Sequence, residues 1–249
     1  QIIARVLDQG SRLSAERLAQ YCASDEILHF QKGFNEDHLY ANLDWLREHQ
    51  AEIEKQIFRA RCGDAKPNLF LYDVTSSYLE GQCNEFAAYG YNRDKKQGKK
   101  QIVIGLLCDQ DGVPVSTAVF RGNTNDPKTF AQAVEAAKER FGCERVTLVG
   151  DRGMIKSAQI EDLQKNGFHY ITAITKPQIE TLLRAEVFQI GLFDAPLSEV
   201  EQDGVRYILR RSPARQLEIA RNRREKLDSA EKFISKQNQY LQEHPRASE

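Results

Sequence analysis

The sequence predicts an α/β fold: one mixed five-stranded sheet with flanking helices, preceded by a helical segment over residues 1–66. Two changes of pattern and one element order carry this. From Ile2 to about Cys62 the apolar residues Leu39, Leu43, Leu46, Ile53 and Ile57 recur at spacings of three, four and seven, the period of helices packed on one side. Gly63-Asp-Ala-Lys-Pro67 breaks that period, and short apolar runs of strand character follow. Those runs and the helical stretches between them read in the order βββαβαβ.

Each element has its own signal. Residues 69–76 form the first strand. Residues 101–108 and 113–120 form the next two, joined by Asp109-Gln-Asp-Gly112, whose Asp-Gly tip marks a hairpin, so the first three strands make an antiparallel meander. Asp126-Pro127 starts a helix reaching about Arg140, with Asp126 expected as N-cap, Pro127 as first helical residue, and Phe130, Val134 and Ala137 on one face. Residues 145–150 give a fourth strand, 157–166 a helix stopped by Gly167, and 168–174 a fifth strand. Beyond residue 184 a hairpin turns at Asp203-Gly204, and a charged helix runs from Pro213 to about Leu241. The expected domains are 1–66, 67–183 and 184–249.

Composition narrows the function classes. The 249 residues, 41% hydrophobic, suffice for one full core and a smaller accessory unit. Thirty-five Lys and Arg against 36 Asp and Glu leave a formal charge of −1, so any nucleic-acid surface is local rather than global. The five cysteines are odd in number, scattered and without a Cys-x-x-Cys pair, which argues against a disulfide framework or a zinc knuckle and fits reduced thiols in a cytosolic protein. No apolar run is long enough for a membrane helix. Met154 is the only methionine, and the chain opens without one, so a fragment truncated at both ends is expected.

The chemistry concentrates on two aspartates. Asp73 lies in Asn68-Leu-Phe-Leu-Tyr-Asp-Val-Thr-Ser-Ser-Tyr78, and Asp151 ends Arg145-Val-Thr-Leu-Val-Gly-Asp. A carboxylate in an apolar strand is costly unless a cation or hydrogen bonds offset its desolvation. If the fourth strand joins the first in parallel, adjacent strands about 4.8 Å apart put both carboxylates beside one divalent ion, Mg²⁺ or Mn²⁺. The plain alternative is a pair of strand-end aspartates that cap neighbouring amides.

Three further segments sharpen the reading. Gly90-Tyr-Asn-Arg-Asp-Lys-Lys-Gln-Gly-Lys-Lys-Gln-Ile-Val-Ile-Gly-Leu106, Phe120-Arg-Gly-Asn-Thr-Asn-Asp126 and Val149-Gly-Asp-Arg-Gly-Met154 resemble segments of the DDE transposases encoded by bacterial insertion sequences. The similarity covers residues 68–183 best. It implies a ribonuclease H-like core, DNA as substrate, metal-dependent strand cleavage and transfer, assembly of several protomers on transposon ends and target, and a place at the bacterial nucleoid. It also implies Asp73 and Asp151 as the first two catalytic acids and metal ligands, with a Glu on a later helix as the third. That Glu normally lies beyond an insertion, in a Tyr-Arg-Glu-Lys-like motif with no counterpart before Glu249. Arg223-Arg-Glu-Lys226 lacks the preceding Tyr and apolar context, so Glu225 reads as part of a solvated face and residues 184–249 as part of the insertion.

Candidate DNA contacts are Arg93, Lys95, Lys96, Lys99 and Lys100 in the connection between the first two strands, with Arg121, Asn123 and Arg152. The connection reads otherwise as a solvated loop. Phe120–Asp126 reads otherwise as a turn whose Gly and Asn take positive φ. Arg152 reads as a partner for phosphate or for a carboxylate. The basic start of the last helix (Arg215, Arg221, Arg223, Arg224, Lys226) is either a DNA contact or a face of intrahelical ion pairs. Two rival functions follow: an inactive DNA-binding fragment that restrains the full-length enzyme, and a nuclease acting alone.

Overall fold

The computed structural model describes residues 1–29, 33–63, 65–81, 83–91, 98–189, 191, 195–210 and 212–244. The chain divides into two compact units, Gln1–Ala173 and Ile174–Glu249.

The first unit opens with four helices, α1 (Ile2–Leu7), α2 (Arg12–Tyr21), α3 (Ser24–Ile27) and α4 (Glu36–Cys62). Ser11 caps α2 through Ser14 N–H, and Asn35 with His38 closes a capping box at the start of α4. Then come β1 (Leu69–Leu79), β2 (Lys100–Asp109), β3 (Pro114–Arg121), α5 (Asp126–Glu135), β4 (Thr147–Val149), α6 (Ser157–Lys165) and β5 (His169–Ile171). The sheet order is β3-β2-β1-β4-β5; β1, β2 and β3 pair antiparallel, while β4 pairs parallel with β1 and with β5. This is the ribonuclease H-like arrangement that the motifs imply.

One face of the sheet carries the core. Phe70, Tyr72 and Val74 of β1, Val103 and Leu107 of β2, Phe120 of β3 and Leu148 of β4 are buried with Phe130, Ala133 and Val134 of α5 and Leu163 of α6. Phe58 anchors α4 here, stacked on Phe70 and Phe141 at 6.3 and 4.4 Å between ring centres. Ile57, expected on that stripe, is 59% exposed: the aromatic contact turns α4 by one residue so that Phe58 faces inward. Half-buried Arg140 ties this layer to α4 by pairing with Glu54 and donating to Ser116 Oγ (3.0 Å).

Three local readings are corrected. Asn125, not Asp126, caps α5, because Asn125 keeps extended backbone and accepts from Lys128 N–H (3.2 Å), which moves Pro127 to the second helical position. The helix then loosens into a π turn over Ala136–Arg140. Gly122 does not take positive φ; a Cβ there would lie 1.9 Å from Gln101 O and 2.6 Å from Ala88 O, so it is small because backbones cross.

The second unit contains α7 (Lys176–Arg184), which the sequence reading left out, a hairpin of β6 (Leu197–Gln202) and β7 (Val205–Arg210), and α8 (Pro213–Glu243). Asp203 and Gly204 turn the hairpin with φ of 52° and 73°, matching the twist of the strands. Phe188 is buried and packs edge-on against Tyr207. Among the described residues α8 buries none, and no helix is long and apolar enough to cross a membrane.

Candidate functional site

The opposite face of the sheet is the more exposed one. Side chains alternate along a strand, so the register assigns its rows. Asp73 stands opposite Leu106 and that residue opposite Thr117; the next rows are Thr75, Ile104 and Val119, then Ser77, Ile102 and Arg121, then Leu79 and Lys100. Below Asp73 lies the row of Cys108, Leu71, Val149 and Ile171. Leu106, Val119 and Ile171 are 37%, 52% and 54% exposed.

The parallel register pairs Leu71 with Val149; Asp73 follows two residues later inside β1, and Asp151 follows two residues later in the loop past the end of β4. Both are exposed, which removes the desolvation cost that first drew notice to them: the strand is buried on its other side only. Each carboxylate accepts local hydrogen bonds through Oδ1. Asp73 accepts from Val74 N–H (2.8 Å); Asp151 accepts from Gly153 N–H (2.8 Å) and Met154 N–H (3.1 Å), which bends the chain as it leaves β4.

A third acid of this chain, Asp126, comes close. A Cβ on Gly153 would sit 3.1 Å from Asp151 Oδ1 and 3.2 Å from Asp126 Oδ2, so the first turn of α5 brings its carboxylate to the loop that holds Asp151. The sequence signal was the glycine: a residue without a side chain two positions after an aspartate leaves room for another acid. Burial pushes the Tyr72 phenol above its ordinary pKa of 10.0, with Asp126 and Asp73 adding to the rise. The neighbouring Thr129 hydroxyl pulls the other way, yet Tyr72 Oη reaches no hydrogen-bond geometry with it, and Thr129 spends its own proton on Asp126 O (2.8 Å).

The cations are spread out. Arg121 lies four residues and Lys100 six residues along the same face from the aspartate row, about 13 and 20 Å at strand rise. Lys99 is exposed beside Lys100, Asn123 is exposed between β3 and α5, and Arg152 is exposed next to Asp151 without an ion pair among the described residues. Arg93, Lys95 and Lys96 lie outside the described residues. On α8, Arg215 pairs with Glu218 (2.6 Å) and Arg221 with Glu225 (3.8 Å), the intrahelical pattern expected of a solvated face.

Carboxylate oxygens on an open face suit hard divalent cations, which take oxygen ligands and keep several waters. Among the described residues no group of three or more His, Cys, Asp or Glu is arranged to hold one metal ion.

The transposase DDE domain family matches residues 64–239. This chain belongs to that family. No curated protein matches the chain. Solved structures similar to this transposase domain include the piggyBac transposase synaptic complex with hairpin DNA, at TM-score 0.41 and 14% identity over 59% of this chain and 32% of that one. They also include the Mos1 transposase paired-end complex with left transposon end, at TM-score 0.31 and 14% identity over 73% of this chain and 61% of that one. The simian T-cell lymphotropic virus intasome matches at TM-score 0.27 and 10% identity over 49% and 40%. The transposase domain described here thus spans from a third to under two thirds of the length of these proteins.

Proposed function

We propose that this domain is the catalytic core of a DNA transposase of the insertion-sequence type, cutting and rejoining DNA strands at Asp73 and Asp151. One observation carries the reading: Asp73 stands on the exposed sheet face that also bears Arg121 and Lys100, and Asp151 follows two residues after Val149, the parallel partner of Leu71. A divalent cation, Mg²⁺ or Mn²⁺, held by Asp73 and Asp151 would supply charge stabilisation at the phosphate. The chain's own part is placement. Gly153 and Met154 N–H groups orient the Asp151 carboxylate, the β1 ladder fixes Asp73, and Arg152, Arg121, Lys99 and Lys100 hold the DNA backbone. The partners are transposon-end and target DNA and further copies of the transposase. The third acid is a Glu supplied by a later helix, and exposed Leu106 and Ile171 with half-buried Val149 are an apolar seat for such a helix.

A second reading, in which this chain binds DNA without cutting and restrains the complete enzyme, is favoured by the Oδ1 bonds of both aspartates, which are those of ordinary caps. A transposition assay with this chain co-expressed beside the full-length enzyme separates the two, lowered transposition favouring the second reading. In the full-length transposase, Asp73→Asn and Asp151→Asn should each lower strand cleavage by about 10²–10³-fold while DNA affinity holds. Cleavage left unchanged by either substitution refutes the catalytic assignment.

A further inference from the structure

The described part of the connection between β1 and β2 is built, not loose. Where β3 ends at Arg121, Ala88 takes its place beside β2: Ala88 N–H donates to Gln101 O (3.1 Å) and Gln101 N–H to Ala88 O (3.0 Å). Gly122 N–H donates to Phe86 O (2.9 Å). The buried Gln101 side chain donates from Nε2 to Tyr91 O (3.0 Å) and Gly122 O (2.9 Å). Backbones cross so closely that a Cβ on Gly90 would lie 2.0 Å from Gly122 O.

What this scaffold displays is aromatic. Tyr89 and Tyr91 are 66% and 86% exposed, Phe86 39%, and Tyr78 at the end of β1 36%. Lys100 Nζ stands 6.0 Å from the Tyr89 ring centre, and Lys99 and Arg121 are exposed at the same end of the sheet; among the described residues of this connection the exposed acids are Glu80 and Glu85. Two rings held in water by a fixed backbone do not serve the core, which lies on the other side of the sheet.

We infer that Tyr89 and Tyr91 form a stacking platform for unpaired DNA bases, with Lys100 and Arg121 holding phosphates of the same strand. Every base has a π face, so rings beside cations bind single strands with little regard to sequence. Lys100 and Arg121 share the face of Asp73, and the six residues of β2 between Lys100 and the aspartate row span about 20 Å, or about six nucleotide steps. A strand opened at the platform therefore runs down the sheet to the two acids. This rests on the transposase reading and adds the form of its DNA: an end that is locally unpaired.

The test measures affinity of the 249-residue chain, by fluorescence anisotropy, for an oligonucleotide of about 16 nucleotides as single strand, as duplex, and as duplex with a central mismatched bubble. Tyr89→Ala and Tyr91→Ala should each weaken single-strand and bubble binding by about 5- to 150-fold, and Tyr91→Trp should restore it. Binding to duplex should change by no more than about twofold, since phosphate contacts carry it. In the wild-type chain 2-aminopurine in the unpaired stretch should be quenched, and in Tyr91→Ala not. Unchanged thermal midpoints exclude misfolding at these exposed positions. Single-strand affinity that both alanine variants leave intact overturns the platform alone. So does a loss of self-association in those variants with DNA affinity unmoved, which would make the patch a protein contact. No binding of any DNA overturns the platform and the transposase reading together.

Discussion

Gly105→Ala and Tyr72→Phe form a pair whose effects should not add. A Cβ on Gly105 would lie 2.3 Å from Tyr72 Oη, 3.1 Å from its Cζ and 3.2 Å from Phe120 Cε2. The first distance is a collision with a ring fixed edge-on to Phe130, so Gly105→Ala alone should cost about 1–3 kcal/mol. Tyr72→Phe deletes that oxygen, which is buried without a hydrogen-bond partner, and should stabilise by about 1 kcal/mol. With the oxygen gone the remaining contacts are tight but tolerable, and Gly105→Ala should then cost under about 1 kcal/mol, a coupling of about 1–2 kcal/mol. Urea titration of the four proteins measures the cycle, with midpoints moving by about 2–4 °C per kcal/mol in parallel thermal scans. Additivity within about 0.5 kcal/mol would refute the collision. A Tyr72→Phe chain less stable than wild type by about 1 kcal/mol would mean that the hydroxyl makes a bond after all.

Other tests address charge, packing and thiols. Gly122→Ala drives a methyl into two backbone carbonyls that cannot turn aside, so it should cost more than Gly105→Ala and should unpin Tyr91, read as loss of slow exchange at the Ala88 and Gln101 amides. Arg140→Met leaves Glu54 half-buried without its cation and should destabilise by about 1–3 kcal/mol in urea. Burial raises the pKa of Cys62, Cys108, Cys143 and Tyr72 above the ordinary 9.0 and 10.0. The unfolded chain therefore loses these protons first, and stability, full below pH 9.0, should fall as pH rises through the folded values; a flat profile in alkali would contradict the burial. With a thiol reagent at neutral pH, exposed Cys22 and Cys83 should react at once and Cys143 only on unfolding.

The sheet was legible because its signals are local. Asp-Gly at residues 111–112 and 203–204 produced turns, the apolar runs produced strands, and the parallel joining of β4 to β1 followed from the helix between. What was not legible depends on partners distant in sequence. Ile57 and Phe58 have equal claim to a helical stripe until Phe70 and Phe141 choose between them. Gly122 looked like a turn glycine, because nothing in a heptapeptide reveals that Gln101 and Ala88 cross it. Asp73 reads as a costly charge because it lies in an apolar run; alternation sends it to the side opposite buried Tyr72 and Val74, and no sequence states which side stays exposed. The display of Tyr89 and Tyr91 is likewise set from a distance, by the bonds of Gln101 to Tyr91 O and to Ala88.

Carboxylates laid on the outside of a sheet have no walls of their own. Around Asp73 and Asp151 the medium stays water-like until another body lies across Leu106, Val119 and Ile171. Charge–charge forces there are screened beforehand and strengthen as that body arrives and drives water out. On the proposed reading, a body docked there would strengthen the electrostatics of the two acids by removing water around them.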